Sequence, residues 1–479
     1  VFYRAHLIAG NTRFVDDLAA AVEARGARAL AVWCYSLRPG PEGRVAALDL
    51  LGGHGVDAVI TTVLAMGSTA GDDWDASPLA ALGVPVVQAV AATTASATWE
   101  ASAAGLAPVD VAMAVAIPEF DGRIISVPFS FKETVDDGDA LGTPVVAYRT
   151  RPDRTARVAG LATRLARLRQ VPPPHKRVAV VLSAYPTRRS RIGNAVGLDT
   201  PASTIALLHA LAGAGYQVGG IPADGDLLMA ALAASLGAPT HRWPDAAGYQ
   251  AWFATLPDDL QHEVTTTWGP PPASFAFAGL TLGHVFVAIQ PPRGFGENPV
   301  AVYHSPDLAP THDYLAFYRW LDDRFGAHAI VHMGKHGTLE WLPGKGVGLS
   351  AACGPDAALG DLPLVYPFVV NDPGEGTQAK RRAHAVIVDH LVPPMTRADT
   401  YDDLARLERL LDEHARIAAL DPAKLGAIRQ QVWELLVEAE IHRDLGLAGA
   451  GQPDGDAFND LVLHVDGYLC ELKDALIRG

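Results

Sequence analysis

The chain has 479 residues, with 38 Lys and Arg against 53 Asp and Glu, for a formal net charge of −15. That balance excludes a general nucleic-acid-binding role, which needs a basic surface. The 49% hydrophobic content supplies core for two to four domains at roughly 150 residues each.

The three cysteines, Cys34, Cys353 and Cys470, are too scattered for a disulfide frame or a CxxC metal site. They fit a reducing, cytoplasmic compartment. The chain opens at Val1 with no signal-peptide pattern, so an internal portion of a longer protein is expected.

Residues 1–149 read as an N-terminal α/β domain. Asn11 to Arg25 has apolar residues at helical spacing and a glycine stop at Gly26. "ARALAVWCYS", "GVDAVITTVL" and "GVPVVQAV" follow as buried strands, of the continuous apolar kind found in sheets covered on both faces. The longest uncharged window, Ala76 to Trp99, is broken by Gly83, Pro85 and Gln88. It suits a strand and a helix better than a membrane span.

Residues 150–176 read as a connector: an arginine-rich amphipathic helix from Thr150 to Gln170, ended by "VPPPHK". Its arginines are expected to form a solvated face.

Residues 177–392 read as an α/β core. "RVAVVLSAY" is a strand, "LDTPASTIALLHALAGAGY" a helix, "GHVFVAIQPP" a strand and Asp313 to Phe325 an aromatic-rich helix. "AHAIVHM" and "LVYPFVVND" are further strands, and "GEGTQAKRRAHAVIVDHL" is expected as a helix. Residues 393–479 turn mainly helical. The expectation is a multidomain α/β protein with parallel-sheet, Rossmann-like units and a helical C-terminal portion.

The chemistry concentrates in the core. Of 17 histidines, six fall between His284 and His336, where an even spread would put about two. "IVHMGKHGTLEWLPGKG", residues 330–346, follows an apolar strand, and ligand sites gather at the carboxyl ends of such strands. His328 reads as a packing residue inside the strand. His332, His336 and Glu340 read as a functional group. A carboxylate with imidazoles can help ligate a first-row divalent cation or take a proton. Lys335 and Lys345 are placed to meet acidic groups, and Trp341 to stack on a flat ligand.

A second cluster, "VVNDPGEGTQAKRR", ends a strand at Asn371 and Asp372 and opens a helix with Glu375, Lys380, Arg381 and Arg382. Such a helix start attracts anions. The loop "RIGNAVGLDTPAS", with Asn194 and Asp199, is a third ligand-facing candidate. No G-x-x-x-x-G-K-[ST], H-E-x-x-H or G-x-S-x-G motif occurs, so nucleotide or peptide hydrolysis is not legible here.

These segments, with "FYRAHLIAGNT", "VFVAIQPPRGFG", "YHSPDLAPTHDYLAFYRWL" and "YLCELKDALIRG", resemble the large subunits of the class I tetrapyrrole metal chelatases across nearly the whole chain. Lys335 in "GKHG" and the "NDPGEG" segment lean toward the cobaltochelatase branch of aerobic cobalamin synthesis.

The resemblance implies Co2+ and a metal-free corrin precursor, hydrogenobyrinic acid a,c-diamide, as substrates. It implies an AAA+ ATPase and a third subunit as partners, with ATP-Mg2+ on the partner, and neither membrane nor nucleic acid. It implies Glu340 as the base, assisted by His336. His332, His336, His312 and Glu375 would hold the metal briefly. Gln290, Asn194, Asp199, Lys335, Trp341 and Asn371 would contact the macrocycle, and Lys380, Arg381 and Arg382 its carboxylates. The competing readings are a magnesium-protoporphyrin IX chelatase subunit, a non-catalytic tetrapyrrole carrier and a stand-alone metal hydrolase.

Overall fold

The computed structural model describes residues 1–391 apart from 41, 65–67, 71–72, 137–141, 184–193, 196–197, 245, 295–306, 335–336 and 371, and parts of 406–465. It is an α/β protein. The first compact unit takes in Val1–Gly294 and Val302–Val392.

Its N-terminal part carries a four-stranded sheet in the order β1 (Val59–Thr61), β2 (Val86–Ala92), β3 (Ile124–Asp136), β4 (Val145–Thr150). The first three strands run parallel and β4 returns antiparallel. The predicted strand "ARALAVWCYS" shrinks to Trp33–Cys34, paired with Phe2–Tyr3. Helices α1 (Arg13–Glu23) and α2 (Pro152–Gln170) lie against each other, and α2 also packs on β3.

On α2, Arg167 and Arg169 are exposed as the sequence reading expects, but two other arginines correct it. Arg154 and Arg157 are buried, 3% and 8% exposed. They pair with Asp356 at 3.0 and 2.8 Å, and Arg157 reaches Asp361 at 3.0 Å and His384 Nδ1 at 3.2 Å. Helical spacing puts Arg154 and Arg157 on one face. It cannot say that carboxylates from about 200 residues further along the chain face them.

A six-stranded sheet follows. In chain order its strands are β5 (Val178–Leu182), β6 (Leu280–Leu282), β7 (Val285–Ile289), β8 (Ala329–Met333), β9 (Leu364–Val369) and β10 (Val386–His390). Their spatial order is β6-β7-β5-β8-β9-β10, parallel except for the β6–β7 hairpin. The uninterrupted apolar run of β5 is explained by burial on both faces. Ala179 and Val181 enter an aromatic-rich core with Phe286 and Phe317, and Val178 and Val180 enter an aliphatic one with Leu208 and Leu232. Burying each such valine contributes about 1.5 kcal/mol or more.

The predicted helix over "GEGTQAKRRAHAVIVDHL" is a helix only as far as α5 (Pro373–Ala383). His384 adopts a left-handed conformation, φ 41°, and the β-branched run "VIV" then forms edge strand β10. A basic first half and a β-branched second half are two elements, and a polar stop residue divides them.

The second unit takes in Pro393–Gly479. Its described part is helical, with α6 (Leu425–Glu438) contributing Val432, Leu435 and Leu436 to a small core with Leu407 and Phe458. No helix among the described residues is long and apolar enough to cross a membrane.

Candidate active site

From β5 the chain moves out to β7, then crosses back to β8 on the other side of β5. The carboxyl ends of β5 and β8, where this direction reverses, are the expected place for a ligand. Ser183 closes β5 by donating through its backbone N–H to the Met333 carbonyl at 3.0 Å. Gly334 then turns at φ 119°, where a Cβ would fall 2.1 Å from Ser183 Oγ, so only glycine fits. Gly337 is also tightly placed. A Cβ there would lie 2.9 Å from His332 Nδ1.

The chain then forms a single tight helical turn, Leu339–Trp341, that buries Glu340 completely. Arg382, reaching over from α5, donates to the carbonyls of Glu340, Leu342 and Lys345 at 2.6, 2.7 and 3.1 Å. Glu340 Oε1 accepts from the Tyr366 hydroxyl at 3.2 Å, and Oε2 has no hydrogen-bond partner among the described residues. Burial raises the Glu340 carboxyl to about 8; its own backbone N–H and the Tyr366 hydrogen bond oppose this, the charge of Glu375 adds to it, and Arg382 lowers it slightly.

His332 is 2% exposed on β8. Its Nε2 lies 2.9 Å from Tyr318 Oη. Gln290 organises the phenols around it. The backbone N–H of Thr338 donates to Gln290 Oε1 at 2.9 Å, which fixes the orientation of the amide. Gln290 Nε2 therefore donates to Tyr314 Oη and Tyr318 Oη at 3.0 and 2.8 Å. Tyr318 Oη thus accepts from Gln290 and also meets His332 Nε2, where the imidazole tautomer decides which of the two donates. Burial holds His332 at about 3, so it stays neutral at ordinary pH.

This geometry revises several sequence expectations. His332 has Nε2 engaged by Tyr318 Oη, and its Nδ1 has no hydrogen-bond partner among the described residues. His312 offers no free lone pair to a metal: Nδ1 is engaged by Tyr249 Oη at 2.8 Å and Nε2 donates to the Gly269 carbonyl at 3.0 Å. Gln290 spends both ends of its amide inside the core, so it supports the site and does not reach a macrocycle. Asp199 caps helix α3 (Thr200–Gly213), accepting from Ala202 N at 2.9 Å.

Arg382 is committed to backbone carbonyls, and Arg381 to Glu119 at 2.7 and 3.0 Å. Lys345 is buried and donates to the carbonyls of Glu100 and Ser102 at 2.8 and 2.7 Å. Of the basic triplet, Lys380 lines a cleft of about 320 Å³ with Asp372, Thr377 and Asp389. Trp341 is half-buried on the tight turn. Lys335, His336, Asn371 and the Asn194 side chain lie outside the described residues.

Glu375 acts on Glu340 through its charge, while Tyr366 joins Glu340 to His332, whose ring centroid is 5.4 Å from its own. Sequence reasoning missed Tyr366, Tyr314, Tyr318 and Thr338. The four-residue spacing of Tyr314 and Tyr318 on helix α4 (His312–Trp320) was the available signal, since it sets both phenols on one face. Neither the Lys380 cleft nor a second one around Arg13 and Arg149 is lined by Glu340 or His332. The Glu340 carboxyl itself is fully buried.

A family model described as CobN/Magnesium Chelatase matches residues 1–479. The chain is 43% identical over 492 aligned residues to the aerobic cobaltochelatase subunit CobN of Sinorhizobium sp, covering 100% of this chain and 38% of that protein. It is 30% identical to a magnesium-chelatase subunit of Rhodobacter capsulatus, covering 91% and 39%. Among solved structures, the catalytic subunit of cobaltochelatase from Mycobacterium tuberculosis matches with a TM-score of 0.76 and 55% identity, over 98% of this chain and 41% of that one. The chain thus spans about two fifths of the length of these relatives.

Proposed function

Because the chain belongs to the CobN/magnesium chelatase family, we propose that it forms the proton-abstracting, macrocycle-binding part of an ATP-dependent cobaltochelatase. Its substrates are Co2+ and hydrogenobyrinic acid a,c-diamide, in aerobic cobalamin synthesis. Its partners are an AAA+ ATPase subunit and a third chelatase subunit, and nucleotide hydrolysis resides on the ATPase.

The observation that carries this reading is Glu340: a fully buried carboxyl with one oxygen held by Tyr366 and the other without a hydrogen-bond partner among the described residues. In metal insertion an inner N–H bond of the ring breaks. The electron pair stays on nitrogen to bond the metal, and the proton passes to Glu340 Oε2. A carboxyl raised by burial is a better proton acceptor, once ionised, than an ordinary one. Glu375, with His336, holds the incoming cation weakly enough to release it. Lys380 in its cleft meets a peripheral carboxylate of the ring. The 55% identity to a cobaltochelatase catalytic subunit, against 30% to a magnesium-chelatase subunit, supports cobalt over magnesium.

The test is Glu340→Gln in the complete complex with ATP. The variant is expected to bind the macrocycle within a few-fold of wild type and to lose insertion. Near-normal insertion by that variant removes Glu340 as the base. Faster insertion of magnesium into protoporphyrin IX than of cobalt into the corrin precursor favours the magnesium branch. Turnover without the ATPase points to a stand-alone metal enzyme.

A further inference from the structure

We infer that Tyr366 is a positioning residue for Glu340: its hydroxyl holds Oε1, so that the proton comes and goes at Oε2. The inference rests on the reading of Glu340 as the base.

The hydrogen assignment follows from what surrounds the phenol. Tyr366 Oη has one hydrogen and two lone pairs. The backbone N–H of Gly337 points at it and can only donate. The phenolic hydrogen is therefore left for Glu340 Oε1, at 3.2 Å. Tyr366 is 0% exposed, so bulk solvent does not reach that bond.

The ring is held in place. It sits on β9, which is paired on both sides by β8 and β10. Phe368 and His332 meet it edge to face, at 5.2 and 5.4 Å between centroids. A donor mounted on a central strand thus fixes a carboxyl mounted on a loop.

The bond suits both states of the acid. In the carboxylate, Oε1 accepts and Oε2 carries a free lone pair. In the acid, Oε1 is the carbonyl oxygen that still accepts, and Oε2 bears the proton. The same phenol receives the Gly337 N–H, so the backbone that turns the loop also orients the donor.

The experiment is the pH profile of cobalt insertion, as kcat/KM, by the complete complex with ATP. Three variants are compared with wild type: Tyr366→Phe, 3,5-difluorotyrosine at position 366, and Glu340→Gln. A donor that stabilises the carboxylate lowers its proton affinity. Removing it moves the acid limb to higher pH by about 0.5–1 unit, with the rate recovering above the limb. Difluorotyrosine, a more acidic donor, moves the limb to lower pH. A merely structural role lowers the rate equally at every pH.

If Glu340→Gln is inactive and neither tyrosine variant moves the limb, the role of Tyr366 is overturned while the base stands. If Glu340→Gln stays active, the base reading beneath it is overturned. Should Tyr366→Phe fail to fold, the near-isosteric difluorotyrosine protein decides alone: an unmoved limb overturns the inference.

Discussion

Arg382 Nη1 donates to the backbone carbonyl of Glu340 at 2.6 Å. With its bonds to Leu342 and Lys345, the guanidinium closes the turn that presents the carboxyl, from a helix about 40 residues further along the chain. Arg382 is only 7% exposed, and three carbonyls would lose this donor if it were removed.

Arg382→Ala is therefore expected to cost about 3–5 kcal/mol of stability, the range for removing one partner of a buried charged network. Arg382→Lys restores only part, because an ammonium lacks the planar fork. Urea unfolding midpoints of the three proteins check this. Equal midpoints for wild type and alanine variant would show that the clamp contributes nothing.

Glu340 makes stability fall with rising pH. Its carboxyl is held near 8 in the fold, above the ordinary 4.5. The folded state therefore binds the proton more tightly, and the stabilisation is full below about pH 4.5 and lost as pH rises through about 8. Glutamine mimics the protonated form. Glu340→Gln is expected to melt higher than wild type at pH 8, with the difference shrinking toward pH 5. A thermal-melt series across that range reads it directly.

The buried histidines act in the opposite sense. His332 and His384 are both held at about 3, by burial and, for His384, by Arg157 as well. Their unfolded forms take up protons first, near the ordinary value of 6.5. Stability is full above that value and declines as pH falls from about 6.5 toward 3, by about 1.4 kcal/mol per pH unit for each histidine. His384→Gln should flatten this decline by one histidine's share. An unchanged slope in urea titrations at pH 5 and 6 would contradict it.

Arg157→Ala leaves Asp356 with Arg154 alone and removes the contacts to Asp361 and His384. The expected cost is about 2–4 kcal/mol, because buried carboxylates lose a partner. A double-mutant cycle with Asp356→Asn should show strong coupling, since the two side chains meet at 2.8 Å. Additive losses would mean that the pair is not a unit.

Periodicity and residue type were legible before any coordinates. Apolar runs such as "RVAVVL" and "AIVHM" read as buried strands and are β5 and β8. The loop after β8 could be picked out as a site because titratable residues and glycines cluster where a strand must end. Net charge argued against a general nucleic-acid-binding role.

Which of those groups remain available was settled by packing in three dimensions. Lys345, Arg381, Arg382, His312 and Gln290 all read as ligand contacts, and each is consumed by a partner distant in sequence: Glu100, Glu119, Glu340, Tyr249 and Thr338. Tyr366 had no local signal, yet it touches the central carboxyl. The physical reason is that helical and strand periods report which face a side chain occupies. A hydrogen bond's strength and a carboxyl's proton affinity depend on burial and on partners that chain folding brings from far away.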